Sequence, residues 1–519
     1  MAYVLGIDVG SGSARCGVFN AEADLLGVGK HPIARHCPQT GFVEQSSDDI
    51  WQAICLSVAD AMAAAGAQSA DVRALSYSAT CSLVLLDRGR QPLALSETER
   101  PWNIVMWMDH RAQAETEECN ATGADVLKNL GGALSVEMQI PKLIWVKRNR
   151  PDLWARLGYA GDLADFLCHR STGTLERSIC TLGCKWTYDE DTGGWDDAFL
   201  AEVGLDDLLS RAALPRHARP VGAPVGTLTP KAAAELGLST QCKVGMGLID
   251  AHAGALGTSA LARTGLDSRL ALIAGTSNCH IALTSKRVEV PGVWGPYADA
   301  VLDGWYALEG GQSATGAVLD QILSIFACPE PDPHRVLGQQ VIDGLRADPD
   351  FGADLCVLPD FLGNRSPFAD PNRRGAILGM TLEDPATLLP RVYGAAALGI
   401  AFGTRQIIEA MRRHGLPIDT IDLSGGHAKS ELLVRLYADA TGCDLVIPAC
   451  EEPVLLGAAV SAALANGTAD AFRAAARRRK GVRRRPDPRN AANFDLRYRR
   501  FAAHYPGIGT RDDALAAAE

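Results

Sequence analysis

Apolar runs separated by short glycine-rich turns recur along this chain, and the first such pattern lies at its N-terminal end. Around the turn in GIDVGSGSARCGVF (Gly6–Phe19), the first strand is marked by apolar residues at positions 4, 5 and 7 and the second by the run at positions 16–19. This pattern predicts a strand, a tight turn and a second strand. Gly10 and Gly12 permit positive φ and let the backbone approach a ligand closely.

The same pattern returns about half a chain later. In RLALIAGTSNCHIALT (269–284), Gly275 takes the place of Gly10 and Thr276 that of Ser11. A third turn follows an apolar strand in IDLSGGHAKSELL (421–433), where Gly425 and Gly426 lead into an amphipathic helix. The repetition predicts two similar α/β domains facing each other, residues 1–262 and 263–519.

Between these turns, apolar residues with helical spacing alternate with predicted strands. The spacing predicts a helix over Asp48–Ala65 and two strands within Val72–Asp87. Asp384 and Pro385 mark the start of a long alanine-rich helix that ends near Gly415, while Pro390 either kinks it or is its true start. The alternation favours mainly parallel or mixed sheets with helices on both faces.

Length, composition and net charge indicate the class of protein and argue against one class of partner. The 519 residues are 47% apolar and 21% charged, typical of a globular protein with two or more domains. A net charge of −11 argues against nucleic acid as the main partner. The basic run Arg477–Arg485 is interpreted as a solvated loop or helix end.

Location is predicted from the cysteines and the apolar runs. The 14 scattered cysteines indicate reduced thiols or core residues. The most apolar helical run, Val392–Phe402, is too short and too glycine-rich to span a bilayer, and the chain enters its first strand without a signal peptide. We therefore expect a cytoplasmic protein.

The opening turn combines an acid with a site suited to anions. Backbone amides and the hydroxyls of Ser11 and Ser13 suit an oxyanion, whereas Asp8 next to them would repel it. A Mg²⁺ ion between Asp8 and a nucleotide phosphate would reconcile the two. The alternative is an ordinary hairpin in which Asp8 bonds its own turn.

A second acid lies among small residues in GLIDAHAGALG (Gly247–Gly257). Asp250 follows an apolar strand, and a substrate hydroxyl could approach it and lose its proton to it during phosphoryl transfer. The alternative is that Asp250 caps the following helix. His252 is interpreted as a structural histidine.

Six motifs occur along the chain in this order: GIDVGSGSAR, WMDHRA, GLIDAHAG, AGTSNCHIAL, LEGGQSATG and LSGGHAKS. This ordered set resembles that of the FGGY carbohydrate kinases. The resemblance implies two actin-like, ribonuclease-H-like domains, with ATP and Mg²⁺ in the cleft between them and transfer of the γ-phosphoryl group to a sugar or polyol hydroxyl.

Within the family, TCSLVLLD (Thr80–Asp87), GGALSVEMQIPKLIWVK and PDFLGNRSPFADP are similar to the pentulose kinases, D-ribulokinases in particular. This similarity implies that Asp250 is the catalytic base, that Lys185 and Glu309 contact the sugar, and that Cys81 forms part of the pocket wall. Asp109 and Arg111 are interpreted as a structural ion pair. Three positions depart from the family pattern: Leu362, His427 and Arg435.

The resemblance also assigns the nucleotide. It implies phosphate contacts from two turns and an adenosine contact from a third, with Asp8 at the metal. These residues are Ser11, Gly12 and Ser13; Gly275 and Thr276; and Gly425, Gly426 and Lys429.

The expected function is phosphorylation of D-ribulose to D-ribulose 5-phosphate by ATP. Two alternatives stay open: L-ribulokinase or another pentulose or pentitol kinase, and an actin-fold ATP-binding regulator without catalysis. The expected partner is a small sugar, with neither nucleic acid nor membrane. Homodimers are common in the family, but no heptad pattern in this chain establishes one.

Overall fold

A computed structural model describes residues 2–262 and 264–505, except the side chain of Glu97. The chain forms two compact units, both discontinuous in sequence. Unit 1 comprises the residues up to Asp267 together with Ile281–Glu309 and Pro448–Lys480, and unit 2 comprises Ser268–His280, Gly310–Ile447 and the residues from Gly481. The domain boundary at 262/263 stays a prediction.

Unit 1 is built on a mixed six-stranded sheet. Two central pairings are parallel, and the opening hairpin pairs antiparallel with Asp8 opposite Arg15. The predicted strand–turn–strand at the start of the chain is therefore confirmed, as are the two strands within 72–87. In spatial order the strands of this sheet are Pro224–Thr227, Lys243–Ile249, Val72–Ala79, Tyr3–Val9, Ser13–Phe19 and Leu25–Pro32.

A second, antiparallel sheet of unit 1 carries the other strand of the 72–87 segment. Its order is Leu157–Asp162, Leu83–Asp87, Ile104–Val105 and Glu44–Gln45. Beside its last strand, buried Arg111 donates to Asp109 and to Glu44, each at 2.8 Å. The predicted ion pair between Asp109 and Arg111 is present, and Glu44 extends it.

Helices cover both faces of the six-stranded sheet. Ser47–Ala65 packs its buried face, including Ile50, Ile54 and Val58, against the outer hairpin strands, which confirms the helix predicted there. The helices of unit 1 are Ser47–Ala65, Gln113–Ala121, Gln139–Asn149, Pro151–Arg156, Leu163–Thr172, Ile179–Lys185, Asp197–Glu202, Leu208–Arg211, Pro230–Leu236, Asp250–Leu256, Pro453–Asn466 and Ala469–Arg477.

Glycine allows one of these helices to approach the sheet unusually closely. Pro453–Asn466 packs on the strand Tyr3–Val9, and a Cβ atom on Gly6 would lie 2.0 Å from the carbonyl oxygen of Leu455. Backbone atoms cannot move aside as a flexible side chain can, so this position accepts no larger residue without a shift of the helix.

We expect Gly6→Ala to destabilise the protein by about 1–3 kcal/mol, the usual cost of overpacking a core. The measurement is the melting temperature, compared with that of Gly338→Ala. At Gly338, inside the helix Pro333–Ala347, an added Cβ would meet only the Cβ of Leu432 at 3.8 Å. Equal melting temperatures for the two variants would contradict this account of the packing.

Unit 2 contains a sheet whose first three strands are parallel and whose last is antiparallel. Its order is Arg269–Ala274, Thr420–Ser424, Asp444–Ile447 and Val482–Arg484, with Cys356–Leu358 and Ala376–Leu378 paired separately. The helices of unit 2 are Gly316–Ile325, Pro333–Ala347, Pro385–Arg413, Glu431–Thr441 and Ala491–Ala502.

The remaining strands include two through which the chain passes from one unit to the other. These two are Asn278–Thr284 and Tyr306–Gln312. The strand Trp294–Ala298, in unit 1, pairs antiparallel with the first residues of the strand Tyr306–Gln312. The short hairpins of unit 1 are Ser96–Glu97 with Pro101–Trp102 and Tyr188–Asp189 with Gly194–Trp195.

The long helix of unit 2 begins at the predicted place. Asp384 accepts a hydrogen bond from the amide of Ala386 at 2.8 Å, and the helix runs over Pro385–Arg413 with Pro390 inside it. The interpretation of Pro390 as the true start is therefore wrong. At 29 residues the helix is long and apolar enough to cross a membrane, but 72% of its most apolar window is buried, as in a core helix.

The structure also bears on the interpretations of the basic run Arg477–Arg485 and of the cysteines. The basic run is only partly loop and helix end, because Val482–Arg484 adds a strand to the sheet through pairing with Asp444–Ile447. Among the described residues, none of the cysteines forms a disulfide bond, which agrees with reduced thiols.

Candidate active site

Asp8 contacts the two strands beside its own. Its Oδ2 accepts from Arg15 Nη2 at 2.6 Å and Nε at 3.2 Å, and its Oδ1 accepts from the Ser78 hydroxyl at 2.9 Å. Arg15 also donates to Glu452 Oε2 at 2.8 Å, and the charge of Asp8 is the main cause that raises the pKa of Arg15. Asp8 is thus held by its neighbours rather than by its own turn.

Arg15 was not among the residues selected from the sequence. The signal was present, because a strand–turn–strand with this spacing places residue 15 directly opposite residue 8. An arginine across from a nearly buried carboxylate is the partner that such an acid requires.

Side chains from other segments donate hydrogen bonds to the opening turn. The Ser11 hydroxyl accepts from the indole of Trp107 at 2.9 Å, and the Ser11 carbonyl accepts from Gln45 at 3.1 Å. Gly12 is exposed, and an added Cβ would meet nothing within 4 Å. Neither Gly10 nor Gly12 has a positive φ. The lack of a side chain at these positions therefore leaves the backbone of the turn open to a ligand.

Asp250 is the first residue of the helix Asp250–Leu256, and its Oδ1 accepts from the amide of Ala251 at 2.7 Å. Ile249 occupies the N-cap position and no side chain caps this helix, so the interpretation of Asp250 as the cap is wrong. The Asp250 side chain is half-buried. Burial, followed by the charge of Asp8, raises the pKa of Asp250 to about 7. A carboxylate with such a pKa is a competent proton acceptor near neutral pH.

Lys185 and Glu309 form a buried ion pair in the same unit. Lys185 Nζ lies 3.4 Å from Glu309 Oε2, and the two residues are 1% and 3% exposed. The ammonium also lies 4.3 Å from the centre of the Trp294 ring. Burial acts to lower the pKa of Lys185, but the charge of Glu309 and other neighbouring groups outweighs it and raises the pKa.

Cys81 lies beside a polar network that sequence reasoning missed. Gln139 Nε2 donates to the Cys81 carbonyl at 3.1 Å and to Asp162 Oδ2 at 2.9 Å. Burial raises the pKa of Asp162 to about 7, and its Oδ2 also accepts from Trp186 at 3.3 Å. Buried Lys142 donates to the carbonyl of Met106 at 2.9 Å, and burial lowers its pKa to about 8.

His252 is fully buried, with Nε2 3.6 Å from the sulfur of Cys184. Burial lowers the pKa of His252 to about 4, so the ring is neutral at physiological pH. This environment agrees with the structural interpretation given to it from the sequence.

In unit 2, the turns at Gly275 and Gly425 lie side by side. Gly425 has φ +86°, and an added Cβ would lie 2.4 Å from the carbonyl oxygen of Ala274. Gly275 accepts from the amide of Gly316 at 3.0 Å, and the Thr276 carbonyl accepts from the amide of Thr315 at 2.9 Å. The predicted second and third turns therefore contact each other through their backbones.

The third turn leads into the predicted amphipathic helix. A short 3₁₀ segment, Gly426–Lys429, precedes Glu431–Thr441, and Lys429 is exposed. His427 is buried and lies 2.9 Å from the Tyr437 hydroxyl, so this departure from the family pattern fills a polar position in the core. The other two departures lie outward: Arg435 pairs with Glu431, and Leu362 is exposed.

Asp8 and Glu452, the two acids that bond Arg15, offer carboxylate oxygens for a magnesium ion. The charge of Asp8 acts on Asp250. Mg²⁺ prefers carboxylate, hydroxyl and phosphate oxygens, so this donor set fits a magnesium ion carried by a nucleotide.

Comparison with known proteins identifies the family. The model of the N-terminal domain of the FGGY family of carbohydrate kinases matches residues 3–257, and that of the C-terminal domain matches residues 270–466. A human FGGY carbohydrate kinase domain-containing protein is 40% identical, over 90% of this chain and 89% of its own. The D-ribulokinase of Saccharomyces cerevisiae is 36% identical, over 89% of this chain and 72% of its own.

Solved structures agree on the fold. Xylulose kinase from Rhodospirillum rubrum superposes with a TM-score of 0.79 at 22% identity, over 97% of this chain and 98% of its own. Plasmodium falciparum glycerol kinase superposes with a TM-score of 0.80 at 16% identity, over 98% of each chain. The predicted pair of actin-like, ribonuclease-H-like domains is confirmed, and the chain belongs to the FGGY family of carbohydrate kinases.

Proposed function

We propose that this carbohydrate kinase transfers the γ-phosphoryl group of ATP to a ketopentose, D-ribulose above all, and forms D-ribulose 5-phosphate. The observation that carries the proposal is the half-buried carboxylate of Asp250, whose pKa is raised to about 7. A positioned carboxylate can accept the proton of the attacking hydroxyl in phosphoryl transfer, and a pKa near the operating pH favours that role.

Asp250 accepts the proton of the terminal sugar hydroxyl as its oxygen attacks phosphorus. Lys185 donates to oxygens of the open-chain sugar, Glu309 accepts from its hydroxyls, and Cys81 forms part of the pocket wall. The charges of Glu309 and Lys185 both act on the pKa of Asp250, which supports one common site for the three side chains.

The nucleotide is assigned to the glycine turns. Amides and hydroxyls at Ser11, Gly12 and Ser13 bind phosphate oxygens, and Gly275 with Thr276 binds them from unit 2. Gly425, Gly426 and Lys429 bind the adenosine side; the close packing of Gly425 on Ala274 supports a shared nucleotide surface in unit 2. Mg²⁺ held at Asp8 would supply positive charge against the phosphate oxygens.

D-ribulose is favoured by the yeast D-ribulokinase relative, which is 36% identical to this chain. The first alternative, L-ribulose or another pentulose or pentitol, has support from bacterial ribulokinases, which are 28–29% identical. A regulator without catalysis is the alternative from another class, and the retained acid at position 250 argues against it.

A substrate panel tests the proposal. ADP release is measured with D-ribulose, L-ribulose, D-xylulose, ribitol and arabinitol under the same conditions, with no sugar as the control. We expect the highest kcat/KM with D-ribulose. A higher value with another member would reassign the substrate, and ATP binding without sugar-dependent turnover across the panel would favour the regulator.

We also propose a cytoplasmic location with small-molecule partners only. The negative net charge and the reduced cysteines support this. A homodimer, common in the family, is the assembly that we propose to test.

A further inference from the structure

Three buried side chains that the proposed reaction does not use meet in unit 1. Cys180 and Cys184 lie four residues apart on the helix Ile179–Lys185, and therefore on the same face of it. His252 belongs to the helix Asp250–Leu256. Ile249, the residue before this helix, donates its amide to the sulfur of Cys180 at 3.4 Å. The two sulfurs and a ring nitrogen all lie within 4.8 Å of one another.

The spacing of these atoms is that of metal ligands. Zinc binds cysteine sulfur at about 2.3 Å and histidine nitrogen at about 2.0–2.1 Å with tetrahedral angles, which places the two ligand atoms about 3.6 Å apart. Cys184 Sγ and His252 Nε2 are 3.6 Å apart. A fourth donor is near, because Glu309 Oε2 lies 4.0 Å from the same nitrogen.

The charges also balance for a buried cation. Binding releases the two thiol protons to solvent, and a divalent cation with two thiolates and a neutral imidazole carries no net charge. Glu309 as a fourth ligand would add one negative charge, which Lys185 at 3.4 Å offsets. Burial of this complex therefore avoids the penalty paid by an unpaired charge.

We propose that Cys180, Cys184 and His252 form a binding site for a thiophilic divalent cation such as Zn²⁺ or Cd²⁺, with Glu309 as the fourth ligand. The site borders the Lys185–Glu309 pair. If Glu309 binds the sugar, which rests on the proposed function, the cation and the sugar compete for its carboxylate.

Zinc binding to the full-length protein tests the site. Zn²⁺ affinity is measured by competition with a chromophoric chelator for wild type, Cys180→Ser, Cys184→Ser and the control Cys168→Ser. Cys168 is a buried cysteine of the same unit whose sulfur instead donates to the carbonyl of Gly245 at 3.7 Å. We expect one site that weakens at least about 100-fold in the first two variants and is unchanged in the control.

A second measurement does not depend on whether the serine variants fold. Stoichiometric Zn²⁺ should raise the melting temperature of the wild type, because a ligand that binds only the folded state stabilises it. Lack of a stoichiometric site in the wild type, or equal affinity in Cys184→Ser and Cys168→Ser, would overturn the proposal.

The activity measurement separates this inference from the proposed function. With the site and the sugar role both correct, Zn²⁺ raises the apparent KM for D-ribulose, and it does so less in Cys184→Ser than in Cys168→Ser. One equivalent of bound Zn²⁺ that D-ribulose cannot displace would support the site at Cys180, Cys184 and His252 and overturn the competition for Glu309.

Discussion

Asp250→Asn is expected to lower kcat for sugar phosphorylation by about 10²- to 10⁴-fold, the usual contribution of a positioned general base. The amide keeps the size of the side chain and its bond from the amide of Ala251, but it cannot take up a proton. ADP release at saturating ATP and sugar measures the loss.

Stability should move in the opposite direction. Burial and the charge of Asp8 raise the pKa of Asp250 to about 7 in the folded protein. Above that pH the buried carboxylate is ionised, and its ionisation destabilises the folded state relative to the unfolded chain. The asparagine variant is free of this penalty, and its melting temperature at pH 8 should equal or exceed that of the wild type.

The control removes a carboxylate from the surface of the same unit. Asp206→Asn, at an exposed position, should retain wild-type kcat. Full turnover in Asp250→Asn would contradict its role as the base, and a lower melting temperature in that variant would indicate a structural defect instead.

The second large effect is expected at the Lys185–Glu309 pair. Lys185→Met leaves Glu309 as a buried charge without its ammonium, and breaking a buried ion pair in this way costs about 3–5 kcal/mol. Because domains are stable by only about 5–15 kcal/mol, the melting temperature should fall markedly. Sugar-dependent kcat/KM should fall as well.

A double variant separates stability from sugar binding. Lys185→Met with Glu309→Met replaces both charges by apolar groups of similar volume, which is often neutral for stability. We expect the melting temperature to recover while kcat/KM for the sugar stays low. Recovery of both would show that the pair is purely structural.

Local sequence patterns predicted the elements that depend on local physics. The strand–turn–strand at Gly6–Phe19, the helix over Ser47–Ala65 and the helix start at Asp384 follow from apolar spacing and capping residues. The two glycine turns of unit 2 were predicted individually. Their contact was not, because it depends on how the strands Arg269–Ala274 and Thr420–Ser424 pair.

The residues that were missed depend on contacts between distant segments. Arg15 alone had a local signal, through its register opposite Asp8. Asp162 and Gln139 come together from a strand and a helix 23 positions apart, and the cysteine–histidine cluster joins residues 68 positions apart. A single sequence carries no local pattern for such pairs, since tertiary packing alone determines them.

The pH dependence of kcat/KM for the sugar tests the central claim, that Asp250 accepts the proton of the attacking hydroxyl. The base must be ionised, so kcat/KM of the wild type should rise with pH and level off above a pKa of about 7, the value to which the site raises Asp250. The residual activity of Asp250→Asn should lack this rise. A flat wild-type profile between about pH 5 and 8, or the same rise in both proteins, would contradict the claim.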